Sequence, residues 1–342
     1  MAGAGTDRVR IKVPDLNGPR GISALPARQL VYAETDGTIS QTILRGDDAG
    51  TTVIGTVPSM GFAPAVAQTA TGAFILNPTG EPGAEGSGIL YTWSRATGQI
   101  TELKDIGAYQ KTDPDPYNQE GKKTESNPYG VAALPDGSAL VSDAAGNDLL
   151  RVYPDGTTET VARLKPRIVL VPEELEGQPG VPPPGTPINA EGVATSITVG
   201  ADGAYYVGEL RGFPATPGTS EIWRIDPDSV DAVCDPDAPD TGSCTRYADG
   251  LTSIVDLATG PDGSIYALSL CKQSWLQFEL GIADPTGGLY RVTEAGGKPD
   301  LISANKLVLP GGVDVTSEGG IFVAGPVFDE GAIIRLNGKH AS

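Results

Sequence analysis

A short pattern recurs along this chain: an apolar run, a tight turn ending in Gly, a second apolar run, a loop and a third run. Such self-similarity constrains the fold more than any local propensity. The clearest copy is Asn127-Pro-Tyr-Gly-Val-Ala-Ala-Leu-Pro-Asp-Gly-Ser-Ala-Leu-Val-Ser-Asp143, followed by Asn147-Asp-Leu-Leu-Arg-Val-Tyr-Pro-Asp-Gly156. Pro presets φ at the entry of a turn, and Gly takes the positive φ that other residues avoid. Further copies lie between Thr195 and Asp226, between Ile254 and Val292, and between Gly311 and Leu336. Two weaker ones span Pro64–Trp93 and Gly18–Tyr32.

Taking the turn residue as a ruler gives Arg28, Gly72, Gly137, Gly203, Gly263 and Gly320, hence six copies. The step grows from about 44 residues to about 57–66, with the excess in polar, Pro-rich insertions such as Lys111–Ser126 and Pro172–Asn189. One such unit cannot bury its own apolar face. Six of them predict an all-β, six-bladed β-propeller, with the insertions as loops on one face. The expected blades are residues 17–58, 59–110, 126–170, 191–232, 248–296 and 308–337, all in one domain spanning 1–342. The first strand of each copy mixes small and branched residues, as in Val131-Ala-Ala-Leu134, which suits the crowded centre of a ring. The last copy lacks a fourth strand. The run Val9-Arg-Ile-Lys-Val13, within residues 8–13, is predicted to supply it and close the ring, leaving no open sheet edge.

Composition agrees. Gly (46) and Pro (29) are frequent and long helix-period runs are absent, so the 342 residues read as many short strands and turns. Acidic residues number 43 against 24 basic, a formal charge of −19. That sign repels phosphate backbones and anionic bilayers, so neither nucleic acid nor a membrane surface is an expected partner. It also attracts cations such as Ca²⁺, although an acidic surface more often serves solubility alone. No apolar stretch reaches the roughly 18 residues of a membrane span.

Three cysteines are present. Cys234 and Cys244 flank the polar segment Asp235-Pro-Asp-Ala-Pro-Asp-Thr-Gly-Ser243, and a disulfide between them is expected. That implies an oxidising compartment, the alternative being two thiols in a reducing one. Cys271, in a strand-like run, reads as a small core residue. The start, Met1 to Asp7, has neither a basic nor an apolar targeting region. The expectation is a secreted or envelope protein, monomeric, whose signal peptide has been removed.

The units Asn127–Gly137 and Leu140–Asn147 resemble the NHL-type propeller repeat. The segments Tyr205–Pro214, Ile222–Pro227 and Leu251–Tyr266 are more similar still to blades four and five of the bacterial ScyD/ScyE family. The resemblance covers roughly residues 17–336, is strongest from 127 to 293, and departs most in blade two and in the acidic loop 232–244. It implies a propeller fold and export, and assigns no activity.

The single histidine, His340, lies in the C-terminal tail, which argues against His-ligated metals and a Ser-His-Asp triad. No Gly-x-x-x-x-Gly-Lys-Ser/Thr loop is present. Carboxylates remain. Six residues after the ruler stand Glu34, Pro78, Asp143, Glu209, Ser269 and Pro326. Acids there either converge on one mouth to bind a cation or cap the backbone of the following loop. Seven residues before the ruler only blade five carries a charge, Asp256. With Asp314 one place off, and Asn127 and Glu191 just before inner strands, it defines an oxygen-rich axial site, the alternative being a hydrated carboxylate. The expected metal ligands are Asn127, Asp143, Asp256 and Asp314, with Ca²⁺ as the ion. The expected acid/base residues are Asp256 and Glu209. The run Gln273–Leu280 is predicted to form a short amphipathic helix bearing Trp275 and Phe278, either a lid over the channel or packed on its own blade.

Three functions follow in order: an exported binding or scaffold propeller taking a small molecule or protein on its loop face and channel; a calcium-dependent hydrolase or lactonase; and a cofactor-free cyclase using a carboxylate acid/base.

Overall fold

The computed structural model describes residues 10–25, 29–81, 83–303 and 307–336. Arg28, Val9 and His340 lie outside the described residues. Six antiparallel sheets are arranged as blades around one axis. Their inner strands are Ile22–Leu25, Ala65–Gln68, Pro128–Ala133, Ala194–Val199, Ile254–Thr259 and Gly312–Val315. Strands then succeed one another outward by hairpins. The sixth blade is completed by Arg10–Asn17, which pairs antiparallel with Glu330–Leu336, as predicted. The ring is thus shut by hydrogen bonds between the two ends of the chain.

Burial follows position in the blade. All five residues are buried in the second strands Ala139–Asp143, Tyr205–Glu209 and Ile265–Ser269. These read as unbroken apolar runs because a neighbouring blade covers each face. The outer strand Gly50–Thr56 is mostly exposed. The core is a chain of inter-blade clusters; one joins Leu140, Leu149 and Leu164 of blade three to Val207, Trp223 and Ile225 of blade four.

The inner turns use one recipe. In blade three the Gly137 N–H donates to the Leu134 carbonyl at 3.1 Å, and the Asp136 carboxylate accepts the Ser138 N–H at 2.9 Å. Asp202 and Asp262 do the same for Ala204 and Ser264. Each of these aspartates also pairs with an arginine on the third strand of its blade: Arg151, Arg224 and Arg291. In blade six the positive-φ turn glycine is Gly319 (φ 77°), whose N–H donates to Thr316 O, not Gly320. The ruler there moves back by one residue. Gly72 holds its place for another reason: a Cβ on it would lie 1.7 Å from the Trp93 carbonyl oxygen.

Three boundaries differ from expectation. Blade four runs on past residue 232 to an outer strand at Cys244–Leu251, and blade five extends to Ser303. Blade three's own outer strand ends at Leu164, and Arg167–Leu170 instead forms a separate hairpin with Pro187–Ala190. Residues Ala232–Cys234 add in parallel to the outer edge of blade three. The expected disulfide is formed, Cys234–Cys244, with Cα atoms 5.0 Å apart. It joins that added strand to the first residue of blade four's outer strand, so it clasps two blades as well as closing a loop. The Lys165–Asp235 ion pair at 2.6 Å lies beside it. Cys271 is buried and unpaired with another cysteine; its Sγ donates to Asp284 O.

Candidate functional site

The inner strands enclose a cavity of about 250 Å³ along the axis. It extends from Arg20 and Tyr129 at one end to Gln68 and Val199 at the other, with Asp256 and Asp314 on its wall. The connections that enter each inner strand emerge at the Arg20 end, as do those joining second to third strands. Both long insertions are therefore on that face.

Arg20 bars this end. Its guanidinium donates to Ala63 O at 3.1 Å and to Tyr129 O, reaching from blade one across to blades two and three. It lies 3.8 Å from the centroid of the Tyr129 ring and 5.2 Å from that of Phe62. Only 3% of Arg20 is exposed. Delocalised charge, a planar donor fork and aromatic faces make arginine suited to such a position.

The two channel carboxylates share a mode of binding. Asp256 accepts the N–H of Val313 in the next blade at 2.7 Å and that of Leu257 at 3.0 Å. Asp314 accepts the N–H of Ala24 in the following blade at 2.6 Å and that of Val315 at 2.8 Å. Each fastens its inner strand to the next around the ring. Thr195 Oγ1 donates to Ile254 O at 2.6 Å between blades four and five, and Gln68 Nε2 to Ser23 O at 2.7 Å between blades two and one. Burial, more than the nearby Asp314 charge, pushes the Asp256 carboxyl up to about 7, against the pull of the Val313 N–H and Arg20. Burial likewise raises Asp314 to about 6. With Gly319 as the ruler, Asp314 lies two residues further along its strand than Asp256. Its Cα partner is Phe322, whereas that of Asp256 is Leu268. Two residues return a strand to the same face, so both acids reach the channel.

The other expected site residues are elsewhere. Asp143 is wholly buried and accepts the N–H groups of Asn127, Ala145 and Gly146 and the hydroxyl of Ser126. Burial raises its carboxyl, and raises the adjacent Asp148 further, with help from the Asp143 charge. Gln110 Nε2 bridges the two. The Asn127 side chain accepts the Thr79 N–H. Glu34 accepts the Asn17 N–H at 2.8 Å. Of the acids at the ends of second strands, Asp143 caps the loop that follows it, and Glu34 ties its blade to the end of the closing strand.

Glu209 belongs to a buried ionic network in blade four. Arg211, itself only 1% exposed, donates through Nη2 to both Glu209 and Glu221. The Trp223 indole N–H donates to Glu209 at 2.7 Å, and Arg246 pairs with Glu221 at 2.5 Å. Burial holds Glu209 at about 7. Neither Asp143 nor Glu209 lines the axial cavity. Among the described residues no group of three or more His, Cys, Asp or Glu is placed to hold a metal ion. Asp256 and Asp314 share the channel, while Asn127 and Asp143 share the loop base of blade three.

The predicted helix forms at Trp275–Glu279. Its buried residue is Gln277, with Trp275 and Phe278 half-buried. Trp275 Nε1 donates to Arg211 O at 2.9 Å and Ser274 Oγ to Ala215 O at 2.8 Å, so the helix packs on the loop of blade four. Neither Trp275 nor Phe278 lines the cavity. Sequence reasoning missed Arg20, which the Gly18-Pro-Arg-Gly21 start of the first copy offered as the one long cation at the entry to an inner strand.

No protein-family model matches the chain, and no curated protein matches its sequence. Solved structures match its shape. A streptogramin B lyase is 14% identical with a TM-score of 0.54, covering 98% of this chain and 99% of that one. A gluconolactonase from Xanthomonas campestris is 11% identical with a TM-score of 0.55, covering 97% and 91%. A glucose dehydrogenase is 13% identical with a TM-score of 0.60, covering 97% and 100%. The chain is a six-bladed β-propeller. At such identities the likeness carries the fold and leaves chemistry to the site.

Proposed function

We propose that this propeller is an exported binding protein, taking a small molecule or a protein partner on its loop-bearing face. One observation carries the reading: Arg20 bars the loop-face end of the channel, while Asp256 and Asp314 behind it serve the chain's own N–H groups. The buried disulfide supports export, because such bonds persist in oxidising compartments. Kinship with the ScyD/ScyE proteins belongs to the same reading and rests on the segments quoted above. The test is a turnover screen on lactones and esters, with and without Ca²⁺, alongside thermal-shift binding with the same compounds. Binding without turnover is expected. Turnover that disappears in Asp256→Asn would refute the proposal.

A second reading, a hydrolase or lactonase, is favoured by the Asp256 carboxyl standing at about 7 beside a cavity, the range useful to a general acid/base at neutral pH. The fold is shared with a lyase and a lactonase, so it is compatible with such chemistry. A calcium ion in the channel would draw on Asp256 and Asp314. Thermal unfolding after exhaustive chelation separates the two versions of this reading. A rise in midpoint on adding Ca²⁺, lost in Asp314→Asn, favours the metal-dependent version. Turnover without such a rise favours a metal-free acid/base, the cyclase-like version.

A further inference from the structure

Of the four third-strand arginines at equivalent register, Arg151, Arg224 and Arg291 are each neutralised by the aspartate of their blade's inner turn. Their Cα partners on the second strand are Leu140, Tyr206 and Tyr266; that of Arg335 in blade six is Phe322, the same place in the repeat. In blade six the turn reads Ser317-Glu318-Gly319, so Glu318 stands where the others have Asp. Glu318 is exposed and makes no ion pair among the described residues. A Glu carries its carboxylate one methylene further from the turn. It neither caps the turn nor meets the arginine; the Gly320 N–H is taken by Thr316 Oγ1 instead.

Arg335, stacked 5.8 Å from the centroid of the Phe322 ring, faces a cavity of about 350 Å³ between blades six and one, where it is joined by Lys12 and Arg45; Thr316 and the Glu318 carboxylate line it too, so three cations face one acid. The buried Phe322 forms part of the wall. None of the three cations has an ion pair among the described residues. The buried Arg335 Nε has no hydrogen-bond partner. Arg10 lies directly across the strand pair from Arg335, a further like charge. Like charges placed opposite one another destabilise a sheet, and this chain holds 19 surplus acids with which to relieve them. The Lys12 ammonium is depressed by burial and then by Arg335, Arg45 and Arg10.

We propose that the cleft between blades six and one is an oxyanion site, in which Lys12, Arg45 and Arg335 hold a small phosphate-bearing solute. A guanidinium fork and an ammonium group match tetrahedral oxyanions. The −19 charge of the whole chain opposes an anionic bilayer, which points to a ligand free in solution. The site is separate from the channel and independent of either reading of it.

The test uses the full chain and inorganic phosphate as the probe, by calorimetry and thermal unfolding, with chloride matching the ionic strength. Saturable binding of one phosphate is expected, weakened about tenfold or more by Arg335→Gln or Lys12→Gln. At alkaline pH the heat should depend on the buffer's ionisation enthalpy, because an anion returns a proton to Lys12. Glu318→Asp offers a second variant that preserves the charge count. It should rebuild the turn pairing of the other blades, draw Arg335 away and weaken phosphate. Absence of binding at millimolar phosphate would overturn the proposal. So would binding that all three variants leave unchanged while remaining folded.

Discussion

The pH dependence contributed by Asp256 tests the account of the channel most directly. Its carboxyl stands at about 7 in the folded protein, against an ordinary value of 3.8 once the chain unfolds. Between those values the folded state holds a proton that the unfolded state has released. Stability from this residue is therefore complete below the unfolded value and is lost as pH rises through about 7. A gap of about 3 pH units, at about 1.4 kcal/mol each, sets a ceiling of about 4 kcal/mol, which water in the channel lowers. Asp314, at about 6, and Glu209, at about 7, act in the same direction, so the total curve cannot be assigned to one group. The difference between wild type and Asp256→Asn isolates it. Asparagine keeps one acceptor for Val313 or Leu257 and turns a donor toward the other N–H, a pH-independent loss of about 1 kcal/mol. In urea unfolding the variant should be the less stable protein near pH 4. Near pH 8 it should be more stable by up to about 3 kcal/mol, which is the ceiling less the lost hydrogen bond. A difference that stays constant from acid to alkaline pH would refute the placement of Asp256 as a desolvated inter-blade tie.

Replacing both Cys234 and Cys244 with Ser should cost about 3 kcal/mol from the chain entropy of a loop with a sequence separation of 10, read from guanidinium unfolding, and should release Ala232–Cys234 from the edge of blade three, read as faster amide exchange there. On the unreduced, denatured wild type, thiol titration should find one reactive cysteine, Cys271. Arg211→Met should destabilise by about 3–5 kcal/mol, since it strands Glu209 and Glu221 without their shared guanidinium; the loss should grow as pH rises above about 7, where Glu209 ionises beside Arg211 in the wild type but, without that cation, keeps its proton to higher pH in the variant. Arg20→Ala should lower the melting midpoint and admit a solvatochromic dye to the channel, and unchanged dye uptake would mean that Arg20 does not bar that end.

The repeat was legible in the sequence because turns and strands are local. Gly137, Gly203 and Gly263 sit where a tight turn requires positive φ, and the apolar runs between them have the length of a strand. The closing role of residues 10–13 was legible too, since the sixth copy lacked a strand and a ring must have none missing. The pairing of Cys234 with Cys244 followed from their short separation. Other features depend on which strands become neighbours, and that is decided only when the ring closes. An isolated carboxylate near an axis needs a partner, which the sequence could not name for Asp256; the fold supplies the N–H of Val313, 57 residues away. Asp314 looked out of register because the turn glycine of blade six is Gly319. Ala232–Cys234 appeared to end blade four, yet it lies on the edge of blade three, where an open strand offered unpaired backbone groups. Arg20 was hidden in a turn-like tetrapeptide, and its importance comes from Tyr129, 109 residues on. Local chemistry shaped each blade, whereas the channel, its bar and its ties exist only where six separate blades meet.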